Sequence, residues 1–77
     1  MSRGIAMKLA ERMKELRKEK NLRQEDVAKE LKIGITTYCR YELAMREPTA
    51  SVIVRMADYY DVSADYLLGR SERRKFD

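Results

Sequence analysis

The sequence predicts an all-α domain of five short helices. Apolar side chains recur at steps of three and four through most of the chain, and no run alternates with period two for long enough to make a strand. Residues suited to capping or stopping a helix fall between the periodic stretches, leaving loops of two to six residues. Ile5, Leu9, Met13 and Leu16 set a first helix from Ile5 to about Lys20, and Asn21, which tolerates left-handed backbone, stops it. A second runs from Gln24 to Leu31, with Glu25 and Asp26 favourably placed at its positive end. Lys32, Ile33 and Gly34 form a turn, and Gly34 serves as a weak N-cap for a third helix from Ile35 to about Leu43. After Pro48, Thr49 caps a fourth helix carrying Val52, Ile53, Met56, Ala57 and Tyr60, ended by Asp61. Ser63 caps a last short helix, ADYLL, closed by Gly69. Residues 1–69 make the domain, and residues 70–77, RSERRKFD, are expected to be a charged, frayed tail.

Composition narrows the function classes. A chain of 77 residues holds one core and has no residues to spare for a typical enzyme pocket. It has no His and one Cys, which excludes an intramolecular disulfide, a Cys/His zinc site and a His-based triad. No Gly-rich phosphate loop is present, so no catalytic, metal or cofactor site is expected. Charges interrupt every apolar stretch of the N-terminal segment, so neither a signal peptide nor a membrane span is expected, and a reducing cytoplasm fits.

The net charge of +4 favours a polyanionic partner, but it is unevenly spread. Residues 1–23 carry eight Lys/Arg against three Glu, whereas residues 24–69 carry five basic against eight acidic side chains. Part of the N-terminal charge is accounted for by helical ion pairs, Glu11 with Lys14 and Glu15 with Lys18.

The most informative stretch is QEDVAKELKIGITTYCRYE, Gln24 to Glu42. Val27, Ala28, Leu31, Ile33, Tyr38 and Tyr41 give one helical face, a break, then a second face, the pattern of a helix-turn-helix. Ala28 falls where two crossing helices would touch. Ile35, Thr36, Cys39 and Arg40 are left facing outward, a set able to reach base edges. Tyr38 and Tyr41, spaced by three within an apolar pattern, read as core and not as stacking platforms for single strands. Cys39 reads as a small side chain more simply than as a redox sensor, for want of a second Cys.

From Arg12 to Gly69, about three quarters of its length, the chain resembles the Cro/C1-type helix-turn-helix (XRE, lambda-repressor-like) family. The resemblance lies in RMKELRKEKNLRQEDVAKEL, then ITTYCRYE, then REPTASVIVRMADYYDVSADYLLG, in that order and spacing. It implies a five-helix domain that binds double-stranded DNA, usually as a homodimer on a palindromic operator. Carried over by position, it makes Ile35, Thr36 and Arg40 base readers, Gln24 and Thr37 backbone contacts, and Arg17–Glu42 a structural salt bridge. The phosphate candidates are then Gln24, Arg23, Thr37, Arg46 and Arg17. Leu43, Ala44 and Met45 stand where the family commonly has Asn-Gly-Lys, so Arg46 is the clear cation left in that loop. Tyr59, Tyr66, Leu67 and Leu68 are the candidates for a dimer interface, on the expectation that five short helices cannot bury all of them.

The function expected is that of a transcriptional regulator, most simply a repressor. A controller protein of a restriction system is a further DNA-binding option. The alternative from another class is an antitoxin or adaptor that uses the same fold to grip a protein through Leu43, Ala44 and Met45.

Overall fold

A computed structural model describes residues 3–75. Five helices follow in order: α1 (Arg3–Glu19), α2 (Gln24–Glu30), α3 (Ile35–Glu42), α4 (Ala50–Tyr60) and α5 (Ala64–Leu67), with no strand among the described residues. Their bounds lie within two residues of those read from periodicity and caps. α1 packs against α3 on one side and α5 on the other, α2 packs on α3, and α4 on α5. The core is continuous through all five and is built around Leu9, Met13, Leu31, Tyr38, Met56 and Leu67, each almost wholly shielded from water. Burying a side chain of this size stabilises the fold by roughly 1.5–3 kcal/mol.

The helices begin with side-chain caps where the sequence offers them. Thr49 Oγ1 accepts from the Val52 N–H (3.3 Å) and Ser63 Oγ from the Tyr66 N–H (3.0 Å). They end alike. After each helix one residue turns left-handed, namely Asn21, Lys32, Ala44, Asp61 and Gly69, with φ between 55° and 79°. The N–H of the following residue then reaches back six residues' span to a helix carbonyl, as Leu22 does to Arg17 (3.1 Å), Ile33 to Ala28 (3.0 Å) and Met45 to Arg40 (2.9 Å). These bonds satisfy carbonyls that the helix cannot pair itself, and they set the sharp turns by which α2 passes into α3. Only one of the five left-handed positions is occupied by Gly, the residue that adopts this conformation without cost.

Residues 70–75 fold back along α1 in the structure, while Phe76 and Asp77 lie outside the described residues. The Ser63 N–H donates to the Arg74 carbonyl (2.5 Å), Arg74 pairs with Glu15 (2.8 Å) and with Glu19, and Lys75 pairs with Asp61 (2.7 Å). Underneath lies Arg12, buried on the apolar face of α1, whose guanidinium donates to the Tyr66 and Ser71 carbonyls (2.5 and 2.7 Å) and stacks 3.9 Å over the Tyr66 ring. A charged side chain on a core face needs such partners, and the tail supplies them.

The same packing separates the candidates for a dimer interface into two buried and two partly covered side chains. Tyr66 and Leu67 are buried, at 5% and 0% exposure, because α5 inserts them between α1 and α4. Tyr59 and Leu68 lie only partly covered on the outside of that contact.

Candidate nucleic-acid interface

α3 is held from behind. Tyr38, Tyr41 and Glu42 are buried on its inner face, so its eight residues, about 12 Å of helix, present the other side to solvent. Ile35, Thr36 and Arg40 are exposed there, while Thr37 and Cys39 are half-buried on the flanks. Thr36 and Arg40 are four apart and stand one above the other on the helix surface. Gly34 precedes them as N-cap and provides no side chain to cap the helix.

The tilt of α3 is fixed by Glu42. Its carboxylate accepts from Arg17 Nε (2.7 Å) and Arg17 Nη2 (3.1 Å), from Gln24 Nε2 (3.1 Å), and from the Tyr38 hydroxyl. Four donors on two oxygens fill the acceptor capacity of a carboxylate. Burial works against its charge, but the bonds from Arg17, Tyr38 and Gln24 outweigh burial and hold its pKa below the ordinary value. Burial, then the bond to Glu42, pushes the Tyr38 hydroxyl pKa upward. One buried acid therefore ties α1, α2 and the last turn of α3's inner face together.

Arg17 is spent on this tie. It also donates to the Leu22 carbonyl (3.1 Å), and its side chain is 14% exposed, so little of it faces outward to meet a phosphate. Arg23, by contrast, is 74% exposed and, among the described residues, pairs with Glu25 (2.7 Å) and Asp26 (3.2 Å) on its own surface. Exposed pairs of this kind are weak and exchange readily for another anion. Gln24 is half-buried between these two, on a shallow depression lined by Arg23, Glu25 and Ile35 where the starts of α2 and α3 meet. Its amide oxygen accepts from Cys39 Sγ at 3.3 Å.

The loop after α3 carries Leu43 at 65% exposure and Met45 at 71%, beside the exposed Arg46. Leu43 and Ala44 continue into a groove against Met7, Ala10 and Lys14 of α1. The outer face of the helix-turn-helix is thus mixed: polar and cationic at Thr36, Arg40 and Arg23, apolar at Ile35, Leu43 and Met45.

Two features, one of the tail end and one of this region, escaped the sequence reading. Arg12 falls at the same helical step as Leu9, Met13 and Leu16, a position on the apolar stripe that marks it as a buried cation. The contact of Cys39 with Gln24 spans the turn between two helices, and no spacing rule indicates it.

A family model described as Helix-turn-helix matches residues 13–67. The chain is 36% identical over 69 residues to the HTH-type transcriptional regulator ImmR of Bacillus subtilis, a match spanning 90% of this chain and 54% of that protein. It is 37% identical over 65 residues to the HTH-type transcriptional regulator AnsR of the same organism, spanning 84% of this chain and 56% of that one. It is 39% identical over 64 residues to the cryptic phage CTXphi transcriptional repressor RstR of Vibrio cholerae, spanning 83% and 57%. The chain therefore spans little more than half the length of these curated relatives. No solved structure matches it significantly.

Proposed function

This chain belongs to the Cro/C1-type helix-turn-helix family, and from that premise we propose that it is a sequence-specific double-stranded DNA-binding regulator of transcription, acting as a repressor. The observation that carries this reading is the outward face of α3. Ile35, Thr36 and Arg40 stand exposed on a short helix whose back is locked to the core by Glu42. A helix so presented fits the major groove, where Arg40 pairs bidentately with guanine and Ile35 or the Thr36 methyl meets a thymine methyl.

Gln24, Arg23, Thr37 and Arg46 supply phosphate contacts around that helix, and hence most of the affinity and its salt dependence. The central segment is itself slightly acidic, so attraction to DNA draws on these few cations and on helix N-termini more than on bulk charge. A domain with extents of 32 × 26 × 21 Å covers few base pairs. A homodimer on a palindromic operator, with recognition helices about 34 Å apart, doubles the contact. Tyr59 and Leu68, partly exposed near α5, are the side chains left for its interface.

Selection of bound duplexes from random DNA tests the reading. Enrichment of a palindromic motif supports it, and binding with no sequence preference overturns it. Arg40→Ala should cost about 1–3 kcal/mol and relax preference at one position of each half-site.

The exposed Leu43 and Met45 favour a second reading, a module that grips a protein through this loop. Replacing them with Asn and Lys separates the two. A DNA regulator tolerates the change and gains salt-dependent affinity from the added cation, whereas a protein-gripping loop loses its partner.

A further inference from the structure

The side-chain amide of Gln24 is held at both ends. Glu42 is ionised and can only accept, so the group facing its Oε1 at 3.1 Å is the amide NH2. That assignment turns the amide oxygen toward Cys39, and the thiol S–H is the donor in the 3.3 Å contact. The NH2 has two hydrogens and Glu42 takes one. The second stays on a half-buried side chain at the rim of the depression where α2 and α3 begin.

Cys39 itself is also half-buried, on the flank of α3 that faces α2, while Thr36 and Arg40 occupy the outer face. We infer that Cys39 and Glu42 are positioning residues that present Gln24 to DNA as a single oriented donor for a phosphate oxygen, and that Cys39 does not read a base. The inference deepens the DNA-binding reading and rests on it. Its physical advantage is preorganisation: the amide is oriented before DNA arrives, so less side-chain freedom is lost on binding.

A double-mutant cycle decides it, using the operator recovered by selection and its single-base variants. Cys39→Ala should weaken binding about two- to tenfold, the worth of one hydrogen bond, to the same degree on every variant. Cys39→Ser, which keeps a donor, should restore most of the loss. In a Gln24→Ala background Cys39→Ala should cost nothing further. An equal loss in both backgrounds, or a changed ranking of base variants, overturns the inference. A second measurement needs no DNA. In NMR spectra of the free protein the Gln24 side-chain amide proton donated to Glu42 should be displaced from the position of a solvated glutamine and slow to exchange, and both features should weaken in Cys39→Ala. Amide signals with the positions and exchange rates of a solvated glutamine overturn the positioning, whatever the chain binds. A chain that selects no duplex overturns the functional reading and the phosphate destination, while the NMR signals still decide the orientation.

Discussion

Two arginines of α1, five residues apart, tie that helix to opposite ends of the domain by different means. Arg17 reaches the helix-turn-helix end and pairs with a carboxylate as hidden as itself: the two side chains are 14% and 2% exposed. Arg12 reaches the tail end, where its carboxylate partner, Glu72, is 88% exposed, and its close contacts are main-chain carbonyls and the Tyr66 ring. The first tie sets two formal charges against each other away from water. The second satisfies one charge with dipoles and a π-face. The difference teaches how each arginine holds its end: the end that presents Ile35, Thr36 and Arg40 depends on one buried ionised group, whereas Arg12's own hold on the tail end is spread over several neutral ones.

The same substitution at both arginines sharpens this most. Arg17→Met keeps much of the stem but leaves Glu42 buried without its counter-charge, and should cost about 3–5 kcal/mol in denaturant unfolding. The tie is also sensitive to acid. Because the folded-state pKa of Glu42 is lowered, its contribution is complete above the ordinary glutamate value and is lost as pH falls through the folded one. Glu15 is lowered too, chiefly by the bond from the Tyr66 hydroxyl, and Glu19, Asp26 and Asp61 by exposed pairs, so wild-type acid sensitivity has several sources. Glu42→Gln isolates one of them. That variant should be less stable at neutral pH and lose less than wild type between pH about 5 and 2. Equal slopes would break the claim that this carboxylate is the acid-sensitive tie.

Arg12→Met comes second, at about 1.5–3 kcal/mol, the range for charge-assisted bonds lost from buried acceptors. Its effect should not vary with acid beyond the wild-type trend, since the carbonyls it leaves do not titrate. Faster hydrogen exchange at Ser63, whose N–H donates to the tail, would accompany it. A loss as large and as pH-dependent as that of Arg17→Met would erase the distinction between the two ends.

How the ends stop their helices extends the comparison and shows how far the sequence could be read. Apolar steps, caps at Thr49 and Ser63, and stops at Asn21, Asp61 and Gly69 were all legible, because each rests on local chemistry within four or five residues. Ile35, Thr36 and Arg40 on the outer face of α3 were legible for the same reason, whereas Cys39, read as outward with them, is half-buried against Gln24. The docked tail, Arg12's carbonyl partners and the Cys39 to Gln24 contact were not, since each joins residues brought together only by packing. Lys32 and Ala44 lie between these cases. They close α2 and α3 in left-handed backbone without being glycine, and at Ala44 the resemblance, which implies a common Gly there, draws attention to it. Ala44→Gly should stabilise the domain by up to about 1 kcal/mol by relieving that strain. Gly69→Ala at the tail end should do the reverse by about 1–2 kcal/mol, since φ is +79° and the added Cβ would stand 2.4 Å from Lys8 Cγ. Opposite signs in thermal unfolding check this.

The smallest expected effect bears directly on the asymmetry between the arginines. Glu72 faces Arg12 at 3.1 Å, the same kind of pair on paper as Glu42 with Arg17. Yet Glu72 stands in water, where the pair gains little over two hydrated ions and is screened by salt. Arg12 would keep the Tyr66 and Ser71 carbonyls and the Tyr66 ring if Glu72 were removed. Glu72→Ala should therefore change stability by no more than about 0.5 kcal/mol, and less in high salt. A loss above 2 kcal/mol would mean that Arg12, like Arg17, depends on a single carboxylate. The contrast between a titratable tie for Arg17 at the helix-turn-helix end and a non-titratable one for Arg12 would then fail.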